Sequence, residues 1–504
     1  MRTLIVGNHP LRDNLLEQYQ QRGDRVVFTD SVSDVHVDDY DEICLLSPEP
    51  RSGDGWDCDQ GQVVLLEEIA VAYHPEHHEG RCLRCHVLIH SGVMLQLLQT
   101  QEMGQQITEK VDVYLFNLDN VWGSGILLDR EPVTIHSERT VHLVVVGWSS
   151  FSESVVLNAA RVAHYPNYLR NNQLRTRITI ISDADMSEFI SSNHILFDNS
   201  YYRILRNDFK DYEFHAPGTT VNGEITDIEW EFIVTSLYNK VVEEKLQLWS
   251  RIGDKQMLTV VVAHDNYEQN MREALHVAGI TGEGECGLYC RTANATLWKH
   301  ACSGDLMTRI QPIGMRDSGY DINTPIVTMA KTVNLVYQEI SRESTVGRSP
   351  LLRDVTSVAW IDIQERDKAW DELPAIHRQS SICHAMSIPT KMRSVGIRDN
   401  EWSHFYDLSM QDIEVMAKVE HNRWCVAQLL MGFRPCTADE RAAIDGDISK
   451  KAVYKQKRVH YDLCSYDMLT FDAGGVHATA YDLRLCASMP VIVKSVATEH
   501  GETT

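Results

Sequence analysis

Short apolar runs alternate with amphipathic stretches along the first quarter of the chain. Thr3–Gly7 reads as a strand, and Leu11–Arg22 carries Leu15, Leu16 and Tyr19 at helical spacing. Arg25–Thr29 predicts a second strand ending at Asp30. Glu42–Leu46, His86–His90 and Val111–Phe116 predict three more, with helices over Gln62–Tyr73 and Val93–Gln101. Strands and helices alternating at this spacing predict a parallel sheet with helices on both faces.

The pattern then restarts. Val141–Gly147 predicts a strand, Ser152–His164 a helix, and Arg177–Ser182 a strand ending at Asp183. Extended chain over Ile225–Thr235, a helix over Lys240–Arg251, a strand over Met257–Ala263 and a helix over Tyr267–Val277 follow. Two such units in tandem form a large-scale repeat. Asp119–Pro132 is expected to link them. Past Ser341 the polar stretch Arg342–Arg353 contains Gly and Pro and is expected to be a second linker. Helical signals dominate beyond it, over Arg366–Ile376, Ile382–Val395 and Asp412–Met431. The expected fold is α/β: Rossmann-like doubly wound units over 1–130 and 135–341, then a mostly helical domain over 354–504.

Composition agrees with several packed domains. The chain has 504 residues, 43% hydrophobic and 23% charged, and about 150 residues per domain gives about three. Its net charge of −24 repels long polyphosphates, so neither DNA nor RNA is expected as a partner. A small nucleotide needs only a local pocket and is not excluded. The strongest apolar run, Val141–Trp148, is far short of the roughly 20 residues of a membrane-spanning helix. No membrane insertion is expected. The N-terminus reads as a first strand and not a signal peptide, which predicts a cytoplasmic protein. Cys44, Cys425 and Cys486 lie in apolar segments and read as small buried hydrophobes.

Two strand–turn–helix units are candidates for phosphate. A helix N-terminus offers unpaired N–H groups and partial positive charge, and glycine lets an anion approach. The first unit keeps only Gly7 of the Gly-x-Gly-x-x-Gly fingerprint, with His9 and Arg12 at the other two positions; Asp30 stands where an acid would hold a ribose. The second keeps Gly147, followed by Ser149, Ser150 and Ser152, and Asp183 is the matching acid. Either turn also serves simply to connect a strand to a helix. The cofactor is not fixed by sequence; NAD(P) or another nucleotide is the candidate.

A metal candidate lies at His74-x-x-His77-His78 with Cys82-x-x-Cys85, half of a zinc knuckle beside imidazoles. No second Cys pair lies nearby, and Cys85 is expected to enter a strand, so a solvent-facing His-rich loop is the simpler reading and no metal is assigned. Cys286 and Cys290 share one face of an extended run and are expected in the core. No Walker loop, Gly-x-Ser-x-Gly elbow or His-Glu-x-x-His is present.

The two strand–turn–helix units, Thr3–Asp30 and Val141–Asp183, resemble TrkA-N domains, Rossmann-type nucleotide-binding modules. The tail resembles the RyR domain, the repeat of ryanodine receptors and of stand-alone bacterial proteins. The resemblance rests on Ala417-Lys418-Val419-Glu420-His421-Asn422-Arg423-Trp424, Met431-Gly432-Phe433, Lys457-Arg458-Val459-His460-Tyr461-Asp462-Leu463, Tyr466-Asp467-Met468-Leu469 and Tyr481-Asp482-Leu483-Arg484. It departs from the pattern in the long loop Pro435–Tyr454 and in Arg484, two residues past Asp482 instead of adjacent to it.

The resemblance implies a non-catalytic, cytoplasmic sensor of a small nucleotide-derived ligand, in second-messenger signalling such as phage defence or in ion homeostasis. Its implied ligand residues are Glu420, His421, Arg423, Trp424, Lys457, Arg458, His460 and Tyr481. Helical spacing by itself puts Glu420, Arg423 and Trp424 on one face, suited either to stacking and phosphate pairing or to a structural ion pair beside a core indole. The alternatives are an NAD(P)-using enzyme at Gly147–Ser152 and an oligomerising scaffold. A homo-oligomer is expected.

Overall fold

A computed structural model describes residues 1–499 apart from 34, 51–54, 102, 129, 207–208, 219–220, 297, 299–304, 346–360, 398–401, 406 and 473. Positions 346–353 of the expected second linker lie outside the described residues. Five short strands form the first sheet: β1 (Arg2–Val6), β2 (Arg25–Thr29), β3 (Glu42–Leu45), β4 (Leu83–Leu88) and β5 (Val111–Phe116). All pairs are parallel and the order is β2-β1-β3-β4-β5. Strand order reverses between β1 and β3, the kind of position where doubly wound sheets take ligands at their carboxyl ends.

The second sheet has eight strands: β6 (Thr140–Val146), β7 (Thr176–Ser182), β8 (Tyr201–Arg206), β9 (Asp211–His215), β10 (Ile228–Val234), β11 (Gln256–Val262), β12 (Cys286–Arg291) and β13 (Ile310–Ile313). Their order is β13-β12-β11-β6-β7-β10-β8-β9. Leaving out β8 and β9, the parallel strands follow the 3-2-1-4-5-6 order of dinucleotide-binding sheets. The β8–β9 pair, antiparallel at one edge, carries no strong apolar pattern and is invisible to hydropathy. Short β13 holds Pro312 at the other edge, where a missing N–H is tolerated.

Asp119–Gly125, expected in a linker, instead belongs to helix Leu118–Gly125, capped by Asn117, whose side chain accepts the Asn120 N–H. Gly123 permits this. A Cβ there would meet the backbone of Ser154 and Val155 at 3.2 Å, so glycine lets this helix lie directly on Ser150–Val162. The helical part also starts and breaks differently from the hydropathy pattern. Helix Ile326–Thr345 contributes Met329, Val333, Val336 and Ile340 to the same core as Trp370, Met416 and Ile492. The stretch expected as two helices is three: Ile363–Asp371, Ala375–Met386 and Ile388–Ser394. Pro374 and Pro389 set the two restarts, each at or next to the first residue of a helix, where no N–H partner is required.

Glu42 anchors the first sheet to the segment following the second. It is fully buried, with Arg22 Nη2 at 2.9 Å and His86 Nε2 at 3.2 Å. The other imidazole nitrogen lies 2.6 Å from the Tyr320 hydroxyl, and Tyr320 stacks on Phe116. Burial opposes the charge of Glu42, but His86 and the guanidinium groups of Arg22 and Arg84 outweigh it and hold its pKa at about 2. The folded value lies below the unfolded one, so this pairing contributes full stability above about pH 4.3. The contribution is lost as pH falls toward 2. Urea midpoints measured from pH 6 to pH 3 are expected to fall, with a shallower slope in Glu42→Gln; an unchanged slope would contradict the assignment.

Candidate functional site

The carboxyl ends of both sheets open onto one cleft of about 1900 Å³, whose walls come from both sheets' loops and from the helical part. That exceeds the roughly 300–1,000 Å³ typical of a pocket for one small molecule. Gly314, at φ +72, turns the chain out of β13 and places Arg316 in this cleft. Arg316 Nη1 lies 2.9 Å from Asp119 Oδ1, and its Nε lies 3.7 Å from Glu49 Oε1. Glu49 follows β3 of the first sheet. Its Oε1 is 2.9 Å from His9 Nε2, while His9 Nδ1 accepts the Leu11 N–H. Burial raises the pKa of Glu49, but the His9 bond and the Arg316 charge outweigh it, so the group is shifted down. Burial pushes the nearby His90 imidazole down. Arg291, buried at the end of β12, bonds Asp265 at 2.9 Å and lies over the Phe151 and Tyr267 rings.

The glycine turns are filled from within the chain. At the second, the Ser149 and Ser152 hydroxyls both donate to the Ala263 carbonyl, at 2.6 and 2.7 Å. Gly147 has φ +89, and a Cβ there would strike the His264 ring at 2.5 Å. Ser150 donates to Asp119 Oδ2 at 3.0 Å. A carboxylate therefore already stands at the N-terminus of helix Ser150–Val162, where the dipole would favour a phosphate. Asp183 is exposed at the end of β7. In the first unit Gly7 approaches the Leu46 carbonyl, and Asp30 is exposed at the end of β2.

The tail residues are brought together in two groups. Glu420 and Arg423 are about 1% exposed. Arg423 bonds Glu420 at 2.9 and 2.7 Å, and Lys391 Nζ and His384 Nδ1 reach the same carboxylate at 2.5 and 2.9 Å. The structural ion pair is thus the arrangement observed, with a buried lysine added. On another side His421 stacks on partly exposed Trp424 at 5.7 Å, and His460 meets Trp424 edge-on at 4.9 Å. Burial drives the His460 pKa down to about 3. Lys457 is exposed, Arg458 covers Phe433 from a left-handed backbone (φ +60), and Tyr481 stacks on Tyr337 and donates to Asp472.

Glu420, Arg423 and Trp424 do not share one open face, and the reason is packing. Helix Met410–Leu430 is wrapped on several sides, contributing Ile413 and Met416 to the helical core and Cys425, Val426 and Leu429 to the core of the second sheet. A helix apolar on several faces has no single solvent side.

The zinc-knuckle grouping does not form. Cys85 points into the first core, where burial pushes its thiol well up; Cys82 is exposed, its thiol bonded to the Glu109 carbonyl. Sequence reading missed Arg316, Glu49 and Asp119. The available signal was their place just past strand ends, obscured for Arg316 because β13 is too short to announce itself. Among the described residues no helix is long and apolar enough to cross a membrane. Comparison of the chain with family models, curated proteins and solved structures gives no match in any of the three.

Proposed function

We propose that this chain is a non-catalytic, ligand-responsive regulator that takes a small anionic, nucleotide-derived molecule in the cleft between the two sheets. One observation carries the reading: Arg316 stands at the carboxyl ends of both sheets, shared between Glu49 and Asp119, in a cleft wide enough for a nucleotide. A phosphate competes with those carboxylates for the guanidinium because it offers the same bidentate geometry with more charge. Displacing them loosens an ionic link between the two sheets, so a ligand with unequal affinity for linked and unlinked forms shifts the balance between them. The RyR-like tail is the responding element in this scheme, since its long helix contacts both the second sheet's core and the bundle.

The test is a thermal-shift series on the full chain with NAD, NADP, AMP, ADP, ATP and cyclic nucleotides. Ligand at 100 times its Kd adds about 2.7 kcal/mol to the native state. One nucleotide class is expected to raise the midpoint, with the rise lost in Arg316→Gln, kept in Ser149→Ala, and no product on chromatography. A rise lost only in Ser149→Ala would return the site to the glycine turn. No rise with any nucleotide would favour the scaffold reading.

A further inference from the structure

At the opposite, amino end of the first sheet a second cluster stands apart from the cleft. Asp38 lies in the short turn Val37–Asp39 before β3, and His74 and His77 lie at the turn Pro75–His78 before β4. Asp38 Oδ1 accepts the His74 backbone N–H at 2.8 Å, which fixes the carboxylate. Its Oδ2 then faces two imidazoles at once, 2.9 Å from His74 Nδ1 and 3.1 Å from His77 Nδ1. All three ligand atoms lie within 4.8 Å of one another. His78, in contrast, stacks on Tyr73.

We propose that Asp38, His74 and His77 form a binding site for one divalent zinc-type cation. Nitrogen and oxygen ligands about 2.0–2.1 Å from zinc in a tetrahedron stand about 3.4 Å apart, so the two Asp–His spacings of 2.9 and 3.1 Å need open by only a few tenths of an ångström, while the imidazole nitrogens already lie within 4.8 Å of each other. Two imidazoles and one carboxylate suit a borderline metal better than the all-oxygen shells of calcium or magnesium. The imidazoles are 46% and 61% exposed, which leaves the fourth position to water. Each imidazole binds metal through Nδ1 while its proton resides on Nε2, toward solvent. The ion clips two loops at the amino end of the sheet, and none of its three ligands lines the cleft, so its role is structural. Thiolates take no part, because Cys85 is interior.

The experiment titrates the metal-stripped full chain with Zn²⁺ against a chromogenic chelator, and measures the thermal midpoint with and without Zn²⁺. One equivalent is expected to bind and raise the midpoint. Affinity is expected to fall at least tenfold in Asp38→Asn and in His77→Ala, with no midpoint rise in either, and to stay unchanged in Cys82→Ser. Asparagine keeps an acceptor for the His74 N–H, and far-UV circular dichroism checks that each variant is folded. No zinc uptake by the wild type, or wild-type affinity in folded Asp38→Asn and His77→Ala, would overturn the proposal. Loss of binding in Cys82→Ser would also overturn it, by assigning the metal to a cysteine site.

Discussion

Replacing Glu420 by alanine is expected to cost about 3–5 kcal/mol of folding stability, the loss typical when one partner of a buried ion pair is removed. The reason lies in the charges left behind. Glu420 is the carboxylate that Lys391 and Arg423 share, and all three side chains are about 2% exposed. Burial disfavours the charge of Glu420, but Arg423, His384 and Lys391 together hold its pKa well below the carboxyl range. Burial also drives His384 down to about 4, so it stands neutral at pH 7. Without that carboxylate Lys391 and Arg423 stay buried with their paired anion gone, and among the described residues only the more distant Asp482, which also acts on Arg423, is left to offset them. Urea unfolding measures the effect. Glu420→Gln/Lys391→Met is expected to lose less than the sum of the two single changes, because it removes a cation with the anion. A loss below about 1 kcal/mol in Glu420→Ala would show that the tail opens to water there, restoring it as a candidate ligand surface.

Gly7→Ala is expected to destabilise the first sheet by about 3 kcal/mol, with two sources. Gly7 holds φ +99, and a Cβ would fall 1.9 Å from the Leu46 carbonyl oxygen. That oxygen belongs to backbone just past β3, so it cannot swing aside as a side-chain tip would. Gly23 provides the control. It has φ +88 and nothing within 4 Å of where an added methyl would stand, so Gly23→Ala is expected to cost only about 1 kcal/mol from backbone strain. Denaturant midpoints of the two variants separate clash from strain, and equal losses would remove the close approach as the reason for glycine at position 7.

These contrasts mark how much of the site the chain announces. The glycine turns at Gly7 and Gly147 were legible as strand–helix turns because glycine sits at a fixed place after an apolar run. Their occupancy was not. Ser149 and Ser152 have the composition of a phosphate loop, but whether a hydroxyl faces a ligand or the Ala263 carbonyl depends on where β11 ends. Likewise Glu420 and Arg423 are legible as an i, i+3 pair, whereas Lys391 comes from another helix with no sequence signature tying it to them. Asp38 and His74 are 36 residues apart, and only the loops at one end of the sheet join them.

By itself the sequence determined the alternation of strand and helix, two largely parallel sheets, and the glycine turns at Gly7 and Gly147, since these follow from local periodicity and backbone preference; the antiparallel β8–β9 pair and short β13 were not among them. Tertiary structure alone decided which polar groups meet. It set Arg316 between Glu49 and Asp119, closed the glycine turns with the chain's own groups, and drew the tail's charged helix inside. The physical reason is that hydropathy repeats every few residues and is written along the chain. The partner of a buried charge is chosen by desolvation in three dimensions, and any distant segment can supply it.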